Sequence, residues 1–171
     1  MQRKKLIATL MAVMMFVLPI TSLAYTNQQY GWSSPSIPIV ISTSSSYKDL
    51  VKKSMTAWNN SISEVNIYEK KKATNTVLSG SYTDTWVGAY SYYLRSGKTY
   101  KFNIYLNDRL LSSKSNNYKQ STIVHEFGHA LSLADNPPEK QSIMRYDRNR
   151  DVMTTPQQDD INGVKKYYGL K

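Results

Sequence analysis

The mostly apolar run IPIVIS at 37–42 predicts a strand with Pro38 near its start, where a missing N–H is tolerated. Beyond it a helical period sets in. Val51, Met55, Trp58 and Ile62 recur at steps of four, three and four, one apolar face of an amphipathic helix, with Ser46 and Asp49 as its N-cap pair. Trp58 on that face is expected in the core. Strand-like segments return at 65–69, 77–82, 86–94 and 100–106, punctuated by Gly80, Gly88 and Gly97. The polar run 112–119 reads as a loop, and Asn117 with Gln120 three residues on caps the next helix. A last helix opens with Thr155 at the N-cap, Pro156 at N1 and Gln158 at N3. Asp159 and Asp160 complement the positive end of its dipole, and Lys165 and Lys166 the negative end. Ile161, Val164 and Tyr167 form its apolar stripe, and Gly169 stops it.

The order is strand, helix, three or four strands, helix, loop, helix. It predicts an α/β (α+β) architecture, one mixed sheet covered by helices, with no internal repeat and no second domain.

The N-terminus has a different grammar. Basic MQRKK is succeeded by fifteen uncharged, mostly apolar residues at 6–20, then by Ser22 and Ala24 as small residues before Tyr25. This is the three-part layout of a secretory signal peptide, 1–24, leaving 25–171 as one domain and implying an extracellular location. A retained membrane anchor is the rival reading, but the run falls short of the ~20 residues a span needs. Loss of Arg3, Lys4 and Lys5 takes the formal charge from +10 to +7. That excess suits anionic cell-wall polymers as well as plain solubility. The basic residues are scattered and accompany no nucleic-acid motif, so no nucleic-acid partner is expected. The chain has no cysteine, which excludes disulfides, thiolate metal sites and thiol nucleophiles.

Candidate chemistry therefore falls to other residues, and both histidines of the chain stand in one phrase, His125-Glu126-Phe127-Gly128-His129. On a helix, residues four apart lie one above the other, so two imidazoles point at one spot and chelate a cation. Glu126 projects beside them, able to hold a water without ligating. This spacing is the HExxH zinc signature, with Glu126 as general base. Shuffling the same composition yields the phrase roughly once in 4,000 arrangements, which decides against accident.

The longer run HEFGHALSLAD, residues 125–135, resembles the metzincin metalloproteases of the matrixin type, whose pattern is HExxHxxGxxH succeeded by a methionine turn. Ser132 stands at the family's glycine and Asp135 at its third histidine, as in small secreted bacterial members. The resemblance implies a mostly parallel sheet of four to five strands with three helices. It implies one catalytic Zn²⁺ held by His125, His129 and Asp135. Ser142-Ile143-Met144-Arg145-Tyr146 resembles the methionine turn, placing Met144 beneath the metal and Tyr146 as an oxyanion donor. If the family's turn at Ser132 needs a positive φ, a serine there costs roughly 1–2 kcal/mol.

The function so implied is a monomeric, secreted zinc endopeptidase taking a protein or peptide substrate as an added strand along an edge within 86–94, where Gly88 permits close backbone approach. The alternative is a secreted binding protein on a degenerate protease scaffold. For Ca²⁺, Asp147 and Asp151 offer carboxylates without a recognisable loop.

Overall fold

The computed structural model describes residues 30–171; the segment 1–24 assigned to a signal peptide lies outside them. The apolar run at 37–42 becomes β1 (Ser36–Ser42), with Ile37 and Ile39 fully buried and Pro38 between them half-buried. β2 (Asn66–Glu69) and β3 (Asn75–Gly80) flank it, both parallel to it. β5 (Lys98–Asn107) runs parallel to β3, and β4 (Gly88–Arg95) closes the sheet antiparallel to β5. The order β2-β1-β3-β5-β4 leaves β4 at one margin of this mixed, mostly parallel sheet. Ser96 and Gly97, at φ 50° and 74°, form the two-residue turn between β4 and β5. Positive φ at both positions matches the twist of the hairpin.

The first helix, α1 (Ser45–Ser61), starts earlier than the Ser46–Asp49 pair predicts, with Ser44 as N-cap. Tyr47, Leu50 and Ser54 are buried with Val51, Met55 and Trp58, so the packed face extends into the first turn and draws it into the helix. Trp58 is fully buried as expected, and its indole N–H donates to the Val124 carbonyl at 2.9 Å. A short helix, α2 (Asp108–Leu111), has no signature in the pattern because only Leu111 is buried. The Trp58 bond joins α1 to α3 (Asn116–Ala130), the helix that carries both histidines. Ser115, rather than Asn117, caps α3: its hydroxyl accepts the Tyr118 N–H at 3.0 Å. Asn117 instead donates to the Asp151 carbonyl, at 3.0 Å.

The final helix, α4 (Gln158–Tyr168), begins two residues later than Pro156 at N1 would place it. Gln157 is its N-cap in a reciprocal box with Asp160, because the Asp160 carboxylate takes the Gln157 N–H at 2.8 Å. Its buried positions are Asp160, Gly163 and Val164, while Tyr167 lies exposed and Tyr168 turns inward. Gly169 ends it at φ 66°, as the sequence predicts.

A left-handed residue terminates α3. Ser132 adopts φ 70°, its N–H donates to the His129 carbonyl at 3.0 Å, and the Leu133 N–H donates to the Gly128 carbonyl at 2.9 Å. This is a Schellman motif with serine in the position that glycine usually fills. Residues 30–32 brace it. The Trp32 N–H donates to the Ala130 carbonyl at 2.8 Å, and the Tyr168 hydroxyl to the Trp32 carbonyl at 2.6 Å. Gly31 makes room for the serine, since a Cβ there would overlap Ser132 Oγ and its backbone nitrogen and stand 2.6 Å from its Cα.

Gly31→Ala must therefore push on backbone rather than on a mobile side chain. It is expected to lower stability by about 1–3 kcal/mol, a fall in Tm of several degrees by calorimetry; an unchanged Tm would show that the brace yields freely.

Candidate metal centre

Helix α3 carries His125, Glu126 and His129, with the two histidines one turn apart, and the Schellman turn brings Asp135 back over them. The two imidazole rings lie 4.8 Å apart between centroids and 85° to each other. His125 Nδ1 lies 2.9 Å from the Ile143 carbonyl, and His129 Nδ1 lies 2.8 Å from the Leu133 carbonyl. Carbonyls only accept, so His129 carries its proton on Nδ1, and so does His125 in the tautomer that bonds to Ile143; each ring then turns its Nε2 lone pair outward. Both Nε2 atoms face Asp135 Oδ1, at 3.2 and 3.7 Å. Ligand atoms of all three residues fall within 4.8 Å of one another.

Two lone pairs aimed at an anionic oxygen repel unless a cation or a proton lies between them. A proton is available to the free chain, because Arg148 Nη1 lies 3.2 Å from His125 Nδ1 and can donate there, freeing Nε2–H for Asp135. In that tautomer the His125 ring holds the Asp135 carboxyl below the usual carboxylate range by hydrogen bonding. Burial pushes His125 below the usual imidazole range, so the ring is kept neutral and fit to ligate. Two neutral imidazoles and a carboxylate make a donor set that fits a divalent zinc ion.

Below the histidines lies the turn at 142–146. Met144 is fully buried, and its sulfur occupies the space a Cβ on Gly128 would need, so the helix glycine admits it. Asp160, buried at the start of α4, accepts the Ile143 N–H at 2.8 Å and the Ser142 hydroxyl at 2.5 Å. Burial raises its carboxyl above the usual range despite these bonds. The sequence marks Asp160 only as a dipole partner; its grip on the turn depends on tertiary contact.

Glu126 is buried, and its Oε1 lies 2.7 Å from the Cβ position of Gly88, where β4 begins. The close approach that Gly88 permits is thus an approach to Glu126 itself. Gly88, Ala89, Tyr90 and Tyr92 from β4 face His125, Glu126, His129 and Asp135 across a cleft of about 310 Å³. Hollows of about 500 and 550 Å³ lie elsewhere, but among the described residues neither gathers three ligating side chains, so chemistry rather than size marks the site. Tyr146 is 61% exposed and does not line this cleft. Asp147 is held by Arg145 through both oxygens, at 2.9 and 3.0 Å, and Asp151 accepts from Ser115, so among the described residues no calcium cluster gathers around them.

Two contributors escape sequence reasoning. Tyr90 sets its ring 6.0 Å from His129 and donates its hydroxyl to the Tyr30 carbonyl at 2.9 Å. Arg148 is buried behind His125, donating to Ser121 Oγ at 3.1 Å, to the Ser121 carbonyl at 3.0 Å and to the Arg145 carbonyl. Neither carries a periodic or motif signal.

No protein-family model matches the chain, and no curated protein matches it in sequence. Solved structures share its fold. A chain of the ECX AB5 holotoxin in its GM1-bound form superposes with a TM-score of 0.58 at 15% identity, over 85% of this chain and 87% of that one. High choriolytic enzyme 1, a hatching-enzyme zinc-protease of the medaka fish Oryzias latipes, superposes at 0.53 and 16% identity, over 82% and 95%. The fold is therefore one that a zinc protease also carries, and at these identities the likeness extends to fold alone.

If Asp160 sets the turn that orients His125, Asp160→Asn should weaken zinc binding by about 10–100-fold, measured by chelator competition. An amide offers one acceptor oxygen where the carboxylate uses both. Zinc affinity within about twofold of the parent would assign the orientation of His125 to other contacts.

Proposed function

We propose that the chain is a secreted zinc-dependent endopeptidase, a metzincin-like enzyme hydrolysing peptide bonds. The observation that carries this reading is the convergence of two imidazole Nε2 atoms and one carboxylate oxygen beside a buried, non-ligating Glu126, in a cleft walled by a marginal strand. His125, His129 and Asp135 would hold Zn²⁺, which when bound supplies a Lewis acid for the scissile carbonyl and lowers the pKa of a water. The chain's own residues do the rest. The outer edge of β4 offers main-chain donors and acceptors to an extended peptide, setting its scissile bond between strand and helix. Glu126 takes the proton of the attacking water and passes it to the departing amine. Burial of Glu126 and His125 keeps bulk water from competing for these bonds. Tyr146 stands off the cleft wall, and the part this reading gives it is to donate its hydroxyl to the oxyanion of a bound peptide.

Glu126→Gln should lower kcat on an unfolded protein substrate by about 10²–10⁴-fold while the chain keeps about one zinc by elemental analysis. Folded, zinc-loaded parent chain that cleaves no peptide in a broad library would end the hydrolytic reading and favour a binding protein on this scaffold. Tyr146→Phe should cost on the order of 10² in kcat with KM little changed; an unaltered kcat would leave the oxyanion to zinc.

A further inference from the structure

Tyr118, Thr122 and Glu126 recur every four residues along α3 and form one row leading to the cleft. Arg150 reaches this row from the segment after the 142–146 turn. Its Nη1 donates to Thr122 Oγ1 at 2.9 Å, and its guanidinium lies 5.4 Å above the Tyr118 ring. The Thr122 methyl and Glu126 Oε1 each stand 2.7 Å from the Cβ position of Gly88. Arg150, Thr122, Gly88 and Glu126 are thus consecutive neighbours, a row that starts outside the cleft at Arg150 and enters it at Gly88 and Glu126, which line it with His129, Tyr90 and Tyr92.

The charge at the Arg150 end of this row is unbalanced. Lys114 approaches the same Tyr118 ring, at 5.2 Å, so two cations share one aromatic. Of the acids nearest in sequence, Asp147 has both oxygens taken by Arg145, and Asp151 accepts from the Ser115 hydroxyl through one oxygen and makes no ion pair with Arg150. Among the described residues, no carboxylate lies within ion-pair distance of Arg150 or Lys114. Arg150 is half-buried, so its fixed position costs hydration that no acid of this chain returns. An acceptor supplied from outside would do so, and a planar guanidinium suits a carboxylate.

The proposed reaction orients the peptide. Glu126 delivers a proton to the departing amine, so the half of the peptide that carries this amine lies on the Glu126 side. We propose that Arg150 is a specificity-determining residue that binds an acidic side chain on the residue whose amine departs, making peptides with Asp or Glu directly after the scissile bond the favoured substrates. This rests on the hydrolytic reading for its orientation, though the acid-binding subsite is testable without turnover.

The experiment compares binding of short fluorescent peptides that begin Asp, Asn or Lys, and of one with its Asp moved to the fifth residue. Binding is measured by anisotropy with the zinc-loaded chain and with Arg150→Glu. Peptides with Asp first should bind about tenfold tighter than those with Asn first, the distal Asp should give less than about a twofold gain, and Arg150→Glu should invert the order towards Lys. An Asp/Asn ratio near one, a distal Asp equally effective, or a ratio unchanged in Arg150→Glu would overturn the proposal. Should Arg150→Glu fail to fold, Arg150→Met carries the same comparison, with the Asp advantage expected to vanish. Cleavage of the matching intact peptides separates the two readings. Turnover without acid preference removes Arg150 and keeps the protease; acid-selective binding without turnover keeps Arg150 and removes hydrolysis.

Discussion

A buried carboxylate must be saturated with donors, and in this chain that requirement organises the site. Asp160 collects the Gln157 N–H, the Ile143 N–H and the Ser142 hydroxyl, one from the start of α4 and two from the turn beneath the histidines. Ser142 in turn exhausts its own valence, donating to Asp160 while accepting from the Asn136 amide and the Met144 N–H, both at 2.9 Å. The Asn136 N–H returns to the Met144 carbonyl at 3.0 Å. One anion thereby ties the turn that holds His125 through Ile143 to the residue next after Asp135. Two prospective ligands from segments remote in sequence take their places from a single hydrogen-bonded knot.

The third ligand position depends on a second constraint, the end of α3. A serine at φ 70° is strained by roughly 1–2 kcal/mol, and the strain is tolerated because its surroundings leave no other course. The Leu133 N–H is committed to Gly128 and the Leu133 carbonyl to His129. The Ser132 side chain occupies space that only glycine at 31 could vacate. The same carbonyl that ends the turn orients the second imidazole, so helix termination and metal-site geometry are one event.

How much the sequence discloses depends on how local each feature is. The His125–His129 pair is legible because its geometry is a property of one helix. β1, β2 and β3 show alternating burial, with Ile37 and Ile39 inward, whereas β4 and β5 are legible by their aromatic and β-branched residues and not by alternating burial. The caps of α1, α3 and α4 fall a few residues from where the pattern places them: burial of Tyr47 draws in the start of α1, the distant Asp151 carbonyl takes Asn117, and at α4 the equally local Gln157–Asp160 box displaces the one that begins at Thr155. Asp135 is legible by resemblance and not by periodicity, because a turn separates it from the helix. Asp160, Arg148 and Arg150 carry no local signal for their roles; each acquires its role from an element more than fifteen residues away.

The charges gathered by this packing point in one direction. Glu126, Asp135 and Asp160 bring three carboxylates around two guanidiniums, Arg148 and Arg150, and with all five ionised the formal sum is −1. Burial already presses Asp160 towards its neutral form and Arg148 towards losing its proton, a sign that the chain alone does not stabilise these charges well. A divalent cation at the two Nε2 atoms and Asp135 Oδ1 would meet the excess of negative charge where it faces the rings. It would also end the repulsion between those lone pairs and favour the tautomer in which His125 Nδ1–H donates to Ile143. Arg148 would keep its bonds to Ser121 and the Arg145 carbonyl. The sign of the local charge and the tautomer of His125 thus favour the same kind of ligand, a cation.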